Sequence, residues 1–291
     1  MKNLNSPIDK NHSCIVCGMQ DFRIIFKKES PRGELFNLAR CRQCGLEFIA
    51  PLLIEEEIKK YYTKEYFTQR TDRGYDNYFS DTIKDEIRRI IELNLNDLGF
   101  NKFEQGIAKS KRALDIGCAA GYFVDYMQAR GWNSYGVDIS EECVNYAQKN
   151  SLNVFKGNYL EIDFPEKFHL ITLWATIEHL RYPDKILEKI SNDLEDNGML
   201  YISTCRIGGI NFMKLFRENW RYYNFPEHMF FFSFKTLNKL LVKNNLKIKK
   251  YITYGSGYGK QGTFTRKTAD FLAKKFYAGD MMLISAGKIT H

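Results

Sequence analysis

Ala113-Leu114-Asp115-Ile116-Gly117-Cys118-Ala119-Ala120-Gly121, followed by Tyr135-Gly136-Val137-Asp138, is the stretch that decides the fold. An apolar run ends in an acid, a turn of small residues follows, and a second apolar run ends in a second acid. This pattern puts two carboxylates at the carboxyl ends of neighbouring parallel strands, where open α/β sheets hold nucleoside ligands. The turn carries neither Gly-x-Gly-x-x-Gly nor the Gly-Lys-Ser/Thr of a phosphate loop. A pyrophosphate here would face a carboxylate and be repelled. The ligand expected is therefore a nucleoside that carries positive charge.

Residue by residue, the stretch resembles the first motif of the class I S-adenosylmethionine-dependent methyltransferases, Asp/Glu-x-Gly-x-Gly-x-Gly, with Ala119 in place of the middle glycine. The cofactor that the resemblance implies, S-adenosylmethionine, has the required sulfonium and ammonium groups. It also implies roles. Asp115 holds the methionine ammonium directly or through water, and Gly117 and Gly121 line the methionine portion, flanked by Cys118 and Tyr122. Asp138, next to Ile139, accepts both ribose hydroxyls. Asn158 and Tyr159 stand where such enzymes contact adenine. An Asp is usual at the position of Asn158, but an amide carbonyl can still serve the exocyclic amine. Trp174, ending the fourth expected strand, either flanks the cofactor or belongs to the core.

The fold this implies is α/β: a seven-stranded Rossmann-like sheet with helices on both faces, its last strand inserted antiparallel, plus a small N-terminal zinc ribbon. Strands are expected at 112–116, 134–138, 153–157, 168–174 and 198–204, with helices near 121–130, 140–149 and 183–194. A late pair of strands, 247–253 and 281–286, flanks a helix at 267–277. Such alternation argues for a parallel sheet covered on both sides. Ahead of it, Ile54 to Tyr62 reads as helical. Phe79, Ile83, Ile87, Ile90, Ile91, Leu95 and Leu98 recur at helical spacing, a stripe expected to pack on the sheet. Asn101 to Arg112 reads as a polar loop. The chain divides into a ribbon at 1–50, a helical and aromatic segment at 51–111, and a methyltransferase domain at 112–291 with an insert at 205–232.

Cys14-x-x-Cys17 and Cys41-x-x-Cys44 form two pairs 23 residues apart, each followed by glycine. Two such knuckles can wrap four thiolates around one ion, a closed and hence structural site. Zinc is expected there, and iron fits the same spacing. Disulfides are disfavoured because nothing else points to an oxidising compartment. Met1 to Lys10 is polar and lacks an apolar signal core, so a cytoplasmic protein is expected. No apolar run approaches the length of a membrane span. The net charge of +8 favours anionic partners such as a nucleotide-linked, phosphorylated or nucleic-acid substrate. Its lysines also suit a plain solvated surface.

Two segments could carry the chemistry. Ile177-Glu178-His179-Leu180, before Pro183, resembles the Glu-His-Leu/Val segment at the mouth of the methyl-transfer site in small-molecule methyltransferases. Pro226-Glu227-His228-Met229-Phe230-Phe231-Phe232-Ser233 resembles a segment of sugar methyltransferases. A hydroxyl acceptor must lose its proton, so His179, His228 and Glu178 are the catalytic candidates. In sequence neither histidine neighbours a second acid and histidine, so no catalytic metal site is expected. The acceptor pocket is expected from the tyrosine-rich stretch (Tyr61, Tyr62, Tyr66, Tyr75, Tyr78) and from the insert's Trp220, Arg221, Tyr222, Tyr223 and Phe225.

The activity implied is methyl transfer to a small polar acceptor, a hydroxyl of a sugar or glycan precursor. Carbon-methylating sugar enzymes that resemble the chain carry a substantial further domain, for which 291 residues leave no room, so oxygen methylation is expected. An RNA or DNA methyltransferase using the ribbon for nucleic-acid contact is the second reading. It lacks support, because Leu173-Trp174-Ala175-Thr176 stands where base-amine enzymes carry Asp/Asn-Pro-Pro-Tyr/Phe, and no Pro-Cys dipeptide occurs. A non-catalytic binding module is the third, opposed by the intact Asp115, Gly117, Gly121 and Asp138.

Overall fold

The computed structural model describes residues 12–69, 76–107, 110–208, 217–255 and 264–289. Tyr75, the segment 1–10 and the part 209–216 of the insert, all named above, lie outside the described residues.

The N-terminal part is an antiparallel sheet of β1 (Phe22–Glu29), β2 (Leu35–Cys41) and β3 (Glu47–Ala50). Each cysteine pair closes on a glycine in the left-handed region, Gly18 at φ +75° and Gly45 at φ +84°, a conformation that side chains with a Cβ resist. Two short helices follow, α1 (Glu55–Lys59) and α2 (Lys64–Thr68), then the long α3 (Asp81–Leu98). The helix expected over Ile54 to Tyr62 is thus shorter. Ser80 caps α3 by accepting from the Ile83 amide.

The expected loop at Asn101 to Arg112 is corrected. Gly99, at φ +80°, ends α3 and starts another helix, α4 (Phe100–Gln105). Phe100 is fully buried against Trp132, and Glu104 accepts the Trp132 indole N–H at 2.6 Å. Those tertiary contacts outweigh the polar look of the segment.

The chain then alternates: β4 (Arg112–Ile116), α5 (Tyr122–Ala129), β5 (Asn133–Asp138), α6 (Glu141–Lys149), β6 (Val154–Lys156), β7 (Phe168–Trp174), α7 (Pro183–Asp193) and β8 (Leu194–Cys205). A two-residue strand, β9 (Phe230–Phe231), precedes α8 (Phe234–Lys243), β10 (Leu246–Tyr254), α9 (Phe264–Lys275) and β11 (Met281–Lys288). The large sheet has the order β10-β11-β8-β7-β4-β5-β6. Six strands run in one direction, and β11 lies antiparallel between β8 and β10, as expected.

Alternate residues of the central strands feed two cores. Ala113, Leu170, Tyr201 and Leu283 meet α3, α4 and α5 on one face. Leu114, Ile171, Ile202 and Ile284 meet α7 and α8 on the other. This second core runs without a break into Phe36, Leu38, Phe48 and Ile49 of the N-terminal sheet. There β9 pairs with β3 as a fourth strand, Glu47 opposite Phe231 and Phe48 opposite Phe230.

Candidate active site

At the carboxyl ends of β4 and β5 the chain leaves a cavity of about 490 Å³. Asp115, Gly117, Cys118, Tyr122, Asp138, Ile139, Asn158, Tyr159, Trp174 and His179 all line it. Gly121 instead packs outward: a Cβ there would meet the Leu152 side chain at 2.8 Å. Gly117 has no such room either, since a Cβ would lie 2.5 Å from Thr176 Cγ2 and its φ is +71°. Ala119, standing for the middle glycine, takes φ +46°, and its amide donates to Asp138 Oδ2 at 2.8 Å. That bond holds a non-glycine residue in a conformation it would otherwise avoid.

Asp115 is buried and Asp138 half-buried. The other Asp138 oxygen, Oδ1, accepts from the Ser140 amide at 2.8 Å. Burial still raises the Asp138 carboxyl above its ordinary range, against these amides. Asp115 Oδ1 accepts from the Thr172 hydroxyl at 2.6 Å. Burial pushes the Asp115 carboxyl up to about 8, the Thr172 bond lowering it and the Asp138 charge raising it further. Two desolvated acids on one cavity call for a cation. The indole N–H of Trp174 is buried there without a hydrogen-bond partner among the described residues. Desolvated acids, a close-approach glycine and an unmatched donor together fit S-adenosylmethionine. At the far side Asn158 accepts from the Leu160 amide and donates to Glu55 Oε2 at 3.3 Å. The Tyr159 hydroxyl donates to Asp193 at 2.6 Å.

The catalytic candidates meet. Glu178 and His179 lie in a 3₁₀ turn, Ile177–His179, that aims the carboxylate into the protein and the imidazole into the cavity. The Met229 amide donates to the Glu178 carbonyl at 2.8 Å, which brings in His228. The two imidazole centroids are 4.5 Å apart at 86°. The separation of His179 and His228 from a second acid and histidine, expected from sequence, is therefore overturned: Glu178, His179 and His228 form one cluster. Burial raises the Glu178 carboxyl to about 7, opposed by backbone amides and the Thr204 hydroxyl. The Tyr62 hydroxyl lies 2.8 Å from His179 Nδ1.

The cavity wall departs from expectation in a second way. Tyr62, Tyr66 and Tyr78 line it, but none of Trp220, Arg221, Tyr222, Tyr223 and Phe225 does. Tyr223 and Phe225 turn to the N-terminal sheet instead. The Tyr223 hydroxyl donates to Glu47 at 2.8 Å, and Phe225 stacks on Phe26. Glu47 is fully buried and ion-paired with Arg40, so Tyr223 completes its partners. The missing wall comes from Ile87, Ile90, Ile91 and Asn94 of α3, with Tyr254 and Met281. Asn94 was the available signal, a polar residue inside an apolar helical stripe.

The four N-terminal cysteines gather as well. Cys14 and Cys44 sulfurs are 3.5 Å apart, as are those of Cys17 and Cys41, and none is in a disulfide. Four thiolates tetrahedral about zinc at about 2.3 Å would sit roughly 3.8 Å apart, so the set fits that ion.

Comparison with known proteins agrees with this geometry. Residues 83–251 match the methyltransferase domain family. The ubiquinone biosynthesis O-methyltransferase of Glaesserella parasuis is 31% identical over 106 residues, 32% of this chain and 45% of that protein. Its counterpart from Dechloromonas aromatica is 28% identical over 120 residues, 38% and 52% of the two chains. The chain thus spans about half the length of the curated relatives it matches. Among solved structures, a SAM-dependent methyltransferase from Archaeoglobus fulgidus superposes with TM-score 0.53 at 18% identity, over 78% of this chain and all of that one. Magnesium protoporphyrin IX methyltransferase from Synechocystis, with bound SAH, gives 0.55 at 14%, over 81% of this chain and all of that one. Sheet order, the paired acids Asp115 and Asp138, and the family match together place the chain in the class I S-adenosylmethionine-dependent methyltransferase family.

Proposed function

We propose that the protein transfers a methyl group from S-adenosylmethionine to a hydroxyl of a small polar acceptor, a sugar or glycan precursor. The observation that carries this reading is one cavity lined by two desolvated acids, with an imidazole cluster beside it. S-adenosylmethionine, when bound, supplies an electrophilic methyl group. Asp115 and Asp138 hold its cationic and ribose portions, and Trp174 flanks it. Tyr62, Tyr66 and Tyr78 give flat faces for a ring, and Asn94 gives it a polar partner. Methyl transfer is an in-line displacement, so holding the two reactants in register supplies much of the acceleration. Glu178, His179 and His228 form the group around which the hydroxyl loses its proton.

Hydroxyl methylation is favoured because the relatives of ubiquinone biosynthesis are O-methyltransferases by name. The net positive charge favours an anionic or nucleotide-linked sugar. In this reading zinc in the four-cysteine site is structural and the ribbon 1–50 braces the domain 112–291, while segment 51–111 shapes the acceptor end. Reduced thiolates favour the cytoplasm; among the described residues no helix is long and apolar enough to cross a membrane.

The test is S-adenosylhomocysteine release with panels of free sugars, nucleotide-linked sugars, phenols and RNA, with the product mass measured. A methylated sugar whose formation falls at least tenfold in His179→Ala supports the reading. Turnover confined to RNA, or to phenols, replaces the acceptor class. No binding of S-adenosylhomocysteine refutes the whole.

A further inference from the structure

Beside the cavity the ligating atoms of Glu178, His179 and His228 all lie within 4.8 Å of one another. One carboxylate and two imidazoles are the donors of three-ligand zinc sites that keep a fourth position open for chemistry. We propose that these three residues bind a divalent transition-metal ion of the zinc class, whose open position takes the acceptor hydroxyl.

Each donor is oriented from behind, as ligands of such ions are. Thr204 donates its hydroxyl to Glu178 Oε2 at 2.8 Å, and the Tyr62 hydroxyl sits 2.8 Å from His179 Nδ1. The Cys205 sulfur lies 3.9 Å from His228 Nδ1. The backbone fixes their spacing without an ion: Met229 donates to the Glu178 carbonyl, and the His228 amide to the Asn224 carbonyl, both at 2.8 Å. Glu178 and His228 are buried while His179 lines the cavity, so a ligand reaches the ion only from the acceptor side. Two nitrogen donors select a first-row transition ion over magnesium or calcium.

The site rests on its donors; its use rests on the methyl-transfer reading. An ion there lowers the pKa of a bound hydroxyl, as it does that of bound water. The proton leaves to cavity water. An oxygen lone pair forms the new C–O bond, the methyl–sulfur bond breaks, and its electron pair stays on sulfur as a neutral thioether.

The experiment uses the full chain loaded with one equivalent of zinc, which the four thiolates of the cysteine site take first. Cobalt(II) is then titrated, with metal counted by mass spectrometry and absorption recorded. We expect about one further ion per chain, with the weak d–d bands of nitrogen and oxygen ligation rather than the intense bands of thiolate ligation. His228→Ala and, separately, His179→Gln each lose that ion and keep the zinc. His179 reaches into the cavity, so its variant remains informative if His228→Ala does not fold. No further ion in the wild type, or retention of it in His179→Gln, overturns the proposal. S-adenosylhomocysteine binding, measured in parallel by calorimetry, separates the two readings. Failure of the metal with that binding intact sinks only the metal site. Failure of that binding sinks the methyl-transfer reading.

Discussion

Cofactor affinity should depend on pH through Asp115, and the size of the effect follows from its burial. Its carboxyl, raised to about 8 by loss of solvent, is neutral in the empty protein through the acidic and neutral range. The ammonium of the cofactor needs it ionised. A group titrating near 8 is about 1% ionised at pH 6 and about 10% at pH 7, while an α-amino group stays mostly protonated over that interval. Affinity for S-adenosylhomocysteine should therefore rise about tenfold from pH 6 to pH 7, or about 1.4 kcal/mol. Binding should release close to one proton, which calorimetry in buffers of different ionisation enthalpy reads directly.

Asp115→Asn keeps an acceptor for the Thr172 hydroxyl while removing the charge. It should bind more weakly at pH 7 and lose most of this slope. That control matters, because Asp138 borders the same cavity and burial raises its carboxyl as well. The same shift has a second sign. A carboxyl held neutral only in the folded state makes the empty fold less stable as pH climbs from the ordinary carboxylate range towards 8. The gain in melting temperature from bound S-adenosylhomocysteine should accordingly grow with pH. A pH-independent wild-type affinity, or a slope unchanged in Asp115→Asn, would refute the reasoning.

Three more expectations are checkable on the same protein. Gly117→Ala sets a Cβ against Thr176 in a left-handed backbone position, and should cost about 1–3 kcal/mol of stability and nearly all cofactor affinity, read by melting and calorimetry. Cys41→Ser should release the ribbon's metal and lower the melting temperature of the whole chain in one transition, because Cys41 shares a core with Leu173 and Ile202; an early separate transition with the main one unmoved would contradict that. Trp174 lines the cavity with its indole N–H unmatched, so S-adenosylhomocysteine should change tryptophan emission in the wild type and much less in Trp174→Phe.

What the sequence made legible is what a run of neighbouring residues specifies. The strands from Arg112 to Cys205 follow apolar runs, and Ser140 and Pro183 mark the starts of α6 and α7 as helix signals do. Asp115 and Asp138 were legible because each ends such a run. Helix α4 was hidden because Gly99 and the polar residues after Phe100 look like a loop until Trp132 is beside them. The wall built by Ile87, Ile90 and Asn94 was hidden for another reason: one apolar stripe can serve a sheet and a cavity at once, and periodicity cannot divide it. The aromatic insert misled because Tyr223 and Phe225 have the composition of a binding site, whereas the buried Glu47 and Phe26 that claim them lie far away in the chain.

That last pairing explains why a small four-cysteine sheet belongs beside this site. The backbone of Met229 is held on both sides, its carbonyl accepting from the Ile49 amide at 3.0 Å and its amide donating to the Glu178 carbonyl at 2.8 Å. Its neighbour His228 is therefore positioned by β3 and by the turn after β7 together. β3 in turn follows directly on the Cys41 and Cys44 knuckle, and its first residue, Glu47, is satisfied by Arg40 from β2 and Tyr223 from the insert. A sheet this small buries too little apolar surface to be rigid by itself, so the four thiolates and the shared core must supply the rigidity. Loosening the cysteine site thus moves a histidine of the cluster without touching it. The N-terminal sheet thus braces the segment that carries His228, and an ion held by the four cysteines would stiffen that brace.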